Sequence, residues 1–302
     1  MSGLPDQTEE SKTRRSFLAA SAAVPLVGGA LAATAVAPAM AQERKESLID
    51  KWVRTKKATV GVDLTSPPMR FRDASGKPTG LGIELLDMLL KDIGTEAEYV
   101  EMPFGQTFAA LAAGKFDMIG TFVTILPSRA LRGTFAGFPA HYQQNVAYLR
   151  DGLRVQNLSE LNASNMKIAC QQGTSEEGML KVTFPKAQIQ AFPQMPDTFN
   201  ALSTGRVDAT VTDIQNVPNT LKTFPNITVA PGTINAIANT FFMQHDDFKL
   251  YAFITNWLRY KAGERAIQGL QDKWYANAIR ENHKLATITV GAGGEPFLIN
   301  PA

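Results

Sequence analysis

The chain has 302 residues, of which 44% are hydrophobic and 19% charged, a composition typical of globular proteins and not of disordered ones. The formal net charge is +2, so the chain lacks the basic surplus typical of nucleic-acid-binding proteins. The single cysteine, Cys170, excludes an intramolecular disulfide framework, and three dispersed histidines argue against a histidine-based metal site. Nothing in the sequence indicates a cofactor.

The first 41 residues have the features of an export signal. Arg14 and Arg15 precede a moderately apolar, alanine-rich run, and Ala39-Met40-Ala41 has the small-x-small pattern of a cleavage site. Paired arginines before a weakly hydrophobic segment resemble a Tat signal, which exports proteins already folded. An amphipathic or membrane-anchoring helix is the alternative, although the alanine-rich content and the helix-breaking residues within the run disfavour it. We therefore expect a soluble periplasmic protein without a lipid anchor.

Alternating strands and helices are predicted next. The spacing of apolar residues indicates strands at 58–63, 96–101 and 116–120 and helices at 83–93 and 104–113. Gly114 stands where a helix C-cap glycine belongs. Short connections between such elements predict a largely parallel sheet with helices on both faces.

A second series of the same kind follows a polar junction at 150–152. It predicts strands at 167–170, 188–191, 207–212 and 226–230, and helices beginning at 176, 196 and 213, the last running to Leu221. The sequence Ala-Ala-Gly-Lys-Phe-Asp (112–117) is echoed by Ser-Thr-Gly-Arg-Val-Asp (203–208). Two lobes built on a similar plan are therefore predicted.

The end of the chain predicts a return to the first lobe. An extended run at 240–243 is followed by two helices, 248–261 and 264–274, which look like the closing helices of lobe 1. The chain would then cross between the lobes twice, near 144–149 and 236–243, as a two-strand hinge that bends without unfolding either lobe.

The domain prediction follows from these crossings. Residues 1–41 are the export signal, 44–146 together with 240–284 form lobe 1, and 147–239 form lobe 2. Residues 285–302 are a C-terminal tail for which the pattern indicates no particular structure.

One stretch, Gly120 to Arg129, carries the clearest chemistry. Pro127 suits the first position of a helix, and the hydroxyls of Thr121 and Thr124 lie close in sequence to the Arg129 guanidinium. An arginine held there can bind a carboxylate through two parallel N–H···O bonds. The alternative is a surface arginine that caps a short helix.

This stretch resembles a known family. Thr-Ile-Leu-Pro-Ser-Arg (124–129) is similar to the Thr-Ile-Thr-Pro-Glu-Arg motif of periplasmic amino-acid-binding proteins of ABC importers. Further motifs agree in order from about residue 58 to 277: Ser-Pro-Pro (66–68), Gly-Leu-Gly-Ile-Glu-Leu-Leu (80–86), Gly-Lys-Phe-Asp (114–117), Gln-Gly-Thr-Ser (172–175), Gly-Arg-Val-Asp-Ala (205–209) and Thr-Asp (212–213). The chain thus resembles solute-binding protein family 3, which has the type II periplasmic binding protein fold. That resemblance implies an α/β protein of two lobes, each a mainly parallel sheet flanked by helices, with a ligand cleft between them.

The resemblance also implies which residues hold the ligand. Arg129 matches the arginine that receives the ligand's α-carboxylate, assisted by Thr124. Thr174 and Ser175 begin a helix whose free N–H groups favour an anion. Asp213 matches the aspartate that takes the α-ammonium group, with a helix N-cap as its alternative role.

The wall of the implied pocket is less regular. Phe104 matches an apolar or aromatic wall residue, although read alone it would be a core residue. Thr121 and Phe122 are further candidates from the Arg129 stretch. Ser66 stands where family members often have an aromatic residue, so one face of their usual stacking arrangement is missing here. His141 either lines the cleft or packs at the hinge.

The function implied by the resemblance is capture of an amino acid and its delivery to an ABC transporter permease in the inner membrane. We expect a monomer without enzymatic activity. An enzyme similar to the cyclohexadienyl or arogenate dehydratases of the same fold is the alternative, with Glu176 or Glu177 as general acid. Two acids at a helix N-terminus are also favoured simply by its dipole. A sensor lobe that serves a separate membrane receptor is a third interpretation.

Overall fold

The computed structural model describes residues 46–275, 287–290 and 296–299. The predicted export signal and most of the predicted C-terminal tail lie outside these residues. Up to the first crossing between the lobes, the helices are α1 Leu48–Thr55, α2 Leu81–Asp92, α3 Phe104–Ala112 and α4 Pro127–Ala130. The strands of the same part are β1 Lys57–Val62, β2 Thr65–Ser66, β3 Arg70–Arg72, β4 Pro78–Thr79, β5 Glu96–Glu101, β6 Met118–Thr124 and β7 Thr134–Phe135.

The remaining elements form the second lobe, the return to the first, and a separate strand pair. The strands are β8 His141–Leu149, β9 Lys167–Gln171, β10 Gln188–Phe192, β11 Ala209–Asp213, β12 Thr228–Val229, β13 Asn235–Met243, β14 Thr287–Val290 and β15 Pro296–Ile299. The helices are α5 Ser175–Thr183, α6 Met195–Ser203, α7 Val217–Thr223, α8 Phe248–Gly263 and α9 Ala266–Tyr275. None of the described helices is long and apolar enough to cross a membrane.

A mixed sheet runs through both lobes. Within the described residues ten strands are connected, with the main order β10-β9-β11-β8-β13-β6-β1-β5. The triplets β5-β1-β6 and β10-β9-β11 are parallel, as predicted. The strands β8 and β13 pair antiparallel with each other and with their neighbours in the lobes, because each enters one lobe from the other.

The hinge consists of these two strands. Residues 141–145 of β8 pair with residues 239–235 of β13. Residues 145–149 of β8 pair with β11 of lobe 2. The crossing between the lobes therefore lies in the first residues of β8, whereas the sequence predicted it at 144–149. The lobe boundaries at 146/147 and 239/240 stay a prediction.

Strand β6 is longer than the sequence pattern predicts. The predicted strand 116–120 ends at Gly120, whereas β6 continues to Thr124. The continuation has a partner, since Asn239 and Thr240 of β13 pair with Thr124 and Val123. The polar residues of the Arg129 stretch are therefore held on a regular strand.

Hydrophobic packing accounts for the helices on both faces. The leucines at 85, 86, 89 and 90 of α2 are all buried, as their spacing predicts, and they share a core with β1 and α8. Helix α8 packs against α1 and helix α9 against α2, both of which belong to the predicted lobe 1. Gly114 follows α3 with φ +68°, which confirms its predicted role at the C-cap.

Candidate ligand-binding site

A cavity of about 590 Å³, counted with its open mouth, lies between the lobes. Both lobes contribute to its wall, as do the two hinge strands. Eight of the nine predicted site residues line it: Ser66, Phe104, Phe122, Thr124, Arg129, Thr174, Ser175 and Asp213.

Arg129 lies on the short helix α4, which begins at Pro127 as predicted. Its side chain is buried, so the alternative of an exposed capping arginine is wrong. Nη1 donates to the Thr124 carbonyl at 3.1 Å, and Nη2 donates across the cleft to the Gly173 carbonyl at 2.9 Å. Desolvation by burial lowers the pKa of Arg129 to about 10, against the opposing influence of Glu176. A cation held so far from water attracts an anionic ligand group.

Phe104 lies beside this arginine at the start of α3. The Arg129 guanidinium carbon is 5.7 Å from the centroid of its ring. The Phe104 N–H donates to Asp63 Oδ2, and the Gln171 side chain donates to the same oxygen from lobe 2 at 2.7 Å. Phe104 is thus both buried and a wall of the cavity, so the two predicted roles are compatible.

The beginning of α5 faces the end of β6. Thr174 is the N-cap residue of α5, and its hydroxyl donates to the Gln171 carbonyl and accepts no capping bond from the helix N–H groups. The hydroxyl oxygens of Ser175 and Thr124 are 3.1 Å apart, across the cleft. The hydroxyl of Thr124 also donates to Asn239 Oδ1 of the hinge at 2.9 Å. Polar groups of both lobes and the hinge therefore meet at this point of the cavity.

Asp213 is the last residue of β11. The helix predicted from 213 begins only at Val217, after a 3-10 turn over Ile214–Asn216. Asp213 directly precedes this turn, and its Oδ1 accepts from the Gln215 N–H at 3.5 Å, so the carboxylate caps the turn and not the helix. The Gln144 N–H donates to Asp213 Oδ1 at 3.3 Å, and His141 Nε2 lies 3.2 Å from Oδ2. The carboxylate therefore lines the cavity and also contacts the hinge strand β8.

Thr121 does not line the cavity, contrary to the prediction. Side chains of a strand alternate between its faces, and Phe122 and Thr124 take the cavity side of β6. Thr121 instead lies against Gly82 of α2. Its buried hydroxyl has no hydrogen-bond partner in the part of the chain that the structure describes.

The two acids at the start of α5 differ in position. Glu176 is buried and lines the cavity, where Oε1 accepts from Gln143 Nε2 at 2.6 Å and Oε2 accepts from the Ser175 hydroxyl at 2.9 Å. Glu177 accepts from the Gly173 N–H and from Lys181, and the Gly173 bond lowers its pKa. Only Glu176 of the predicted pair reaches the cavity.

Sequence reasoning missed Arg70 altogether and left His141 undecided. Arg70 is buried at the start of β3 and lines the cavity, with its guanidinium carbon 5.4 Å from the Phe104 ring centroid. Its closeness to the Ser66-Pro67-Pro68 motif was the available signal. His141 lines the cavity as well and stacks on Phe122, with ring centroids 6.0 Å apart. Within the described residues no group of three or more His, Cys, Asp or Glu side chains is arranged to hold a metal ion.

Comparison with known proteins assigns the chain to a family. Residues 58–277 match the model of the bacterial extracellular solute-binding proteins, family 3. The chain belongs to this family. This solute-binding protein is 22% identical to the ABC transporter arginine-binding protein 1 of Escherichia coli over 73% of its own length and 91% of the relative's. It is also 22% identical to the L-cystine-binding protein TcyJ of Escherichia coli, over 76% of its own length and 86% of the relative's.

Solved structures agree with the two-lobed fold of this solute-binding protein. The ancestral amino acid-binding protein AncCDT-1, described as a precursor of cyclohexadienyl dehydratase, matches 76% of the chain with 27% identity and a TM-score of 0.70. A solute receptor for L-cysteine from Neisseria gonorrhoeae matches 79% of the chain with 21% identity and a TM-score of 0.72. Membership of this family makes the chain a solute-binding protein, as predicted.

Proposed function

We propose that this solute-binding protein captures an amino acid in the cavity between its lobes and delivers it to an ABC transporter permease in the inner membrane. The observation that carries the proposal is one buried arginine, Arg129, and one buried aspartate, Asp213, in the wall of the same cavity. An amino acid carries one anionic and one cationic group, and a closed cavity must pair both of them because unpaired buried charges are costly.

Arg129 receives the α-carboxylate in this proposal. Two of its N–H groups already donate to carbonyls, which holds the guanidinium in place and leaves further donors for the ligand. The N-terminus of α5 at Thr174 and Ser175 adds a partial positive charge on the side of lobe 2. Because the carboxylate then contacts both lobes, binding favours the closed form.

Asp213 receives the α-ammonium group. Its carboxylate lies at the end of β11 and contacts the hinge through Gln144 and His141, so it is held in position before the ligand arrives. Phe104 and Phe122 supply apolar surface beside the ligand. Ser66 supplies a small polar wall.

The test is ligand binding measured by calorimetry on purified protein, after a thermal-shift screen of the common amino acids. Arg129→Gln and Asp213→Asn should each weaken binding at least about 30-fold, since each leaves a buried ligand charge unpaired. Arg132→Gln is the matched control, because Arg132 lies three residues from Arg129 and is exposed. Unchanged affinity in either cavity variant would refute the corresponding assignment.

We also propose that the protein reaches the periplasm through the Tat pathway, is cleaved after Ala41 and acts as a monomer. The paired arginines at 14 and 15 and the Ala39-Met40-Ala41 pattern support the export route. N-terminal sequencing of periplasmic protein should begin at Gln42, and Arg14→Lys with Arg15→Lys should block export. Light scattering during size exclusion should give the mass of one chain.

A further inference from the structure

Arg70 is a second buried arginine in the cavity wall, beyond the pair that an amino acid's backbone groups require. It is the first residue of β3, directly after the turn in which the Met69 N–H donates to the Ser66 carbonyl. Only 9% of Arg70 is exposed. Arg72, two residues further along the same strand, is exposed and forms an ion pair with Glu101.

The Arg70 guanidinium lacks an anionic partner. Its Nε atom is buried without a hydrogen-bond partner, and no carboxylate lies within 4 Å of the guanidinium, both within the described residues. Burial lowers the pKa of Arg70, while the charges of Asp63 and Glu176 oppose that effect. A buried cation without a paired anion destabilises a protein, so a ligand anion at this point gains a strong interaction.

The carboxylates of the neighbourhood are already engaged by the protein. Asp63 accepts from Thr65, from the Phe104 N–H and from Gln171. Glu176 accepts from Gln143 and Ser175. Among the described residues of the cavity wall, two buried side-chain atoms lack a hydrogen-bond partner, the Nε donor of Arg70 and the Oε1 acceptor of Gln171, and only the Arg70 side chain is charged.

We propose that the ligand is an amino acid with a second carboxylate in its side chain and that Arg70 binds this carboxylate. This inference rests on the proposed function, in which Arg129 and Asp213 hold the α-carboxylate and α-ammonium groups. The guanidinium carbons of Arg70 and Arg129 are 5.4 and 5.7 Å from the centroid of the Phe104 ring. Both cations therefore border one aromatic side chain, and a single small dicarboxylate can reach both.

The experiment compares acidic amino acids with their neutral amides. L-glutamate, L-aspartate, L-glutamine and L-asparagine are titrated calorimetrically into purified wild-type protein and into Arg70→Gln, Arg70→Lys, Arg72→Gln and Arg129→Gln. In the wild type, one acidic amino acid should bind at least about 30-fold more tightly than its amide, as expected for a buried charge pair.

The variants should show which arginine binds which carboxylate of the ligand. Arg70→Gln should reduce the preference for acid over amide to less than about threefold, and Arg70→Lys should keep part of it, because it retains the charge without the bidentate geometry. Arg72→Gln should keep the full preference. Arg129→Gln should weaken the acid and the amide alike.

The outcomes test the role of Arg70 separately from the proposed function. If a neutral or cationic amino acid binds as tightly as the acidic ones, or if Arg70→Gln retains the wild-type preference, Arg70 does not recognise a side-chain carboxylate, while the proposed function stands. If no amino acid binds to the wild type, the proposed function fails and the inference fails with it. The melting temperature without ligand checks folding, and in Arg70→Gln it should be unchanged or raised, since an unpaired buried charge is removed.

Discussion

Asp117 joins three parts of lobe 1 through a single carboxylate. Oδ1 accepts from Lys51 Nζ at 2.6 Å, and Oδ2 accepts from Trp52 Nε1 at 2.9 Å and from the Thr59 N–H at 3.2 Å. Trp52 is completely buried, so its indole N–H has no access to water. The predicted repeat Gly-Lys-Phe-Asp thus supplies an acceptor that connects α1 and β1 to the start of β6.

We expect Asp117→Ala to lower the free energy of unfolding by about 2–4 kcal/mol, because the buried Trp52 N–H and the partly buried Thr59 N–H both lose their acceptor. Asp50→Ala is the control, since Asp50 forms an exposed ion pair with Lys249. That control should stay within about 0.5 kcal/mol of wild type. Urea denaturation measures both, and equal effects would contradict the role of Asp117.

Cys170 is a buried side chain of β9 and not a reactive thiol. Burial raises its pKa to about 12, with a further contribution from the negative charges of Glu176 and Glu177. The folded protein therefore keeps a proton that the unfolded chain loses above its ordinary value of 9.0. This group's contribution to stability is complete below pH 9 and declines as the pH rises toward about 12.

A thiol reagent at pH 8 should label the folded protein very slowly, because the thiolate fraction is on the order of 10⁻⁴ and the sulfur is buried. In guanidinium chloride one equivalent of thiol per chain should react rapidly, as the chain has one cysteine. The measurement is the absorbance of the released chromophore over time. Rapid labelling of the folded form would show that β9 is accessible.

At the scale of elements, the loop before α5 and the first turn of α3 form a close backbone contact between the lobes. A Cβ atom on Gly173 would lie 2.6 Å from the Gly105 Cα atom, and Gly173 has φ +77°. Both the backbone conformation and the close approach therefore require glycine at 173. Gly205 has a similar φ of +72°, but a Cβ atom there would have nothing within 4 Å.

Substitutions at Gly173 and Gly205 distinguish the effect of backbone strain from an effect on closure of the lobes. Gly173→Ala and Gly205→Ala should each cost about 1–2 kcal/mol of stability, because both place alanine in the left-handed region. Only Gly173→Ala should also weaken ligand binding, by at least about tenfold, since it separates the lobes. Calorimetry with the ligand found in the screen measures the affinities, and equal affinity in both variants would show that this contact does not govern closure.

At the scale of the whole molecule, direct hydrogen bonds hold the lobes together around the cavity. Arg129 donates to the Gly173 carbonyl, Gln171 donates to Asp63, and the Thr124 and Ser175 hydroxyls are in contact. The structure therefore shows a closed arrangement of the lobes. These bonds exchange with water when the lobes open, so each contributes only modestly to the closed population.

Gln171→Ala should shift the ligand-free protein toward the open form, because it removes one of these bonds from the closed form alone. The expected result is an increased radius of gyration in X-ray scattering and a loss of affinity of about threefold to tenfold. Gln188→Ala is the control, since the Gln188 side chain is exposed and donates to Ser164 within lobe 2. Identical scattering and affinity for the two variants would remove Gln171 from the closing contacts.

Much of the fold was predictable because it depends on local patterns. The leucine spacing of α2, the Pro127 start of α4 and the glycine after α3 each follow from the geometry of a single element. The Arg129 stretch was recognisable from a short motif. Because the motifs of the family mark its binding residues, eight of the nine candidate residues chosen in this way lie in the cavity wall.

Other features depend on partners that are distant in sequence. Strand β6 extends to Thr124 because it pairs with β13, which lies more than a hundred residues later in the chain. A prediction from the apolar run of β6 alone therefore ended the strand too early. Thr121 was misplaced because the strand's orientation decides which of its alternating side chains reaches the cavity. Arg70 was missed because an arginine on a short strand is usually exposed, as Arg72 is.

The sequence by itself thus determined the order of elements and the two-lobed plan, and it identified the arginine and aspartate that we propose to pair with an amino acid's charges. Only the tertiary structure decided that Arg70 and Glu176 share the cavity and that Glu177 and Thr121 do not. The physical reason is that secondary structure follows from neighbours along the chain, whereas the direction and desolvation of a side chain depend on whatever the fold packs around it.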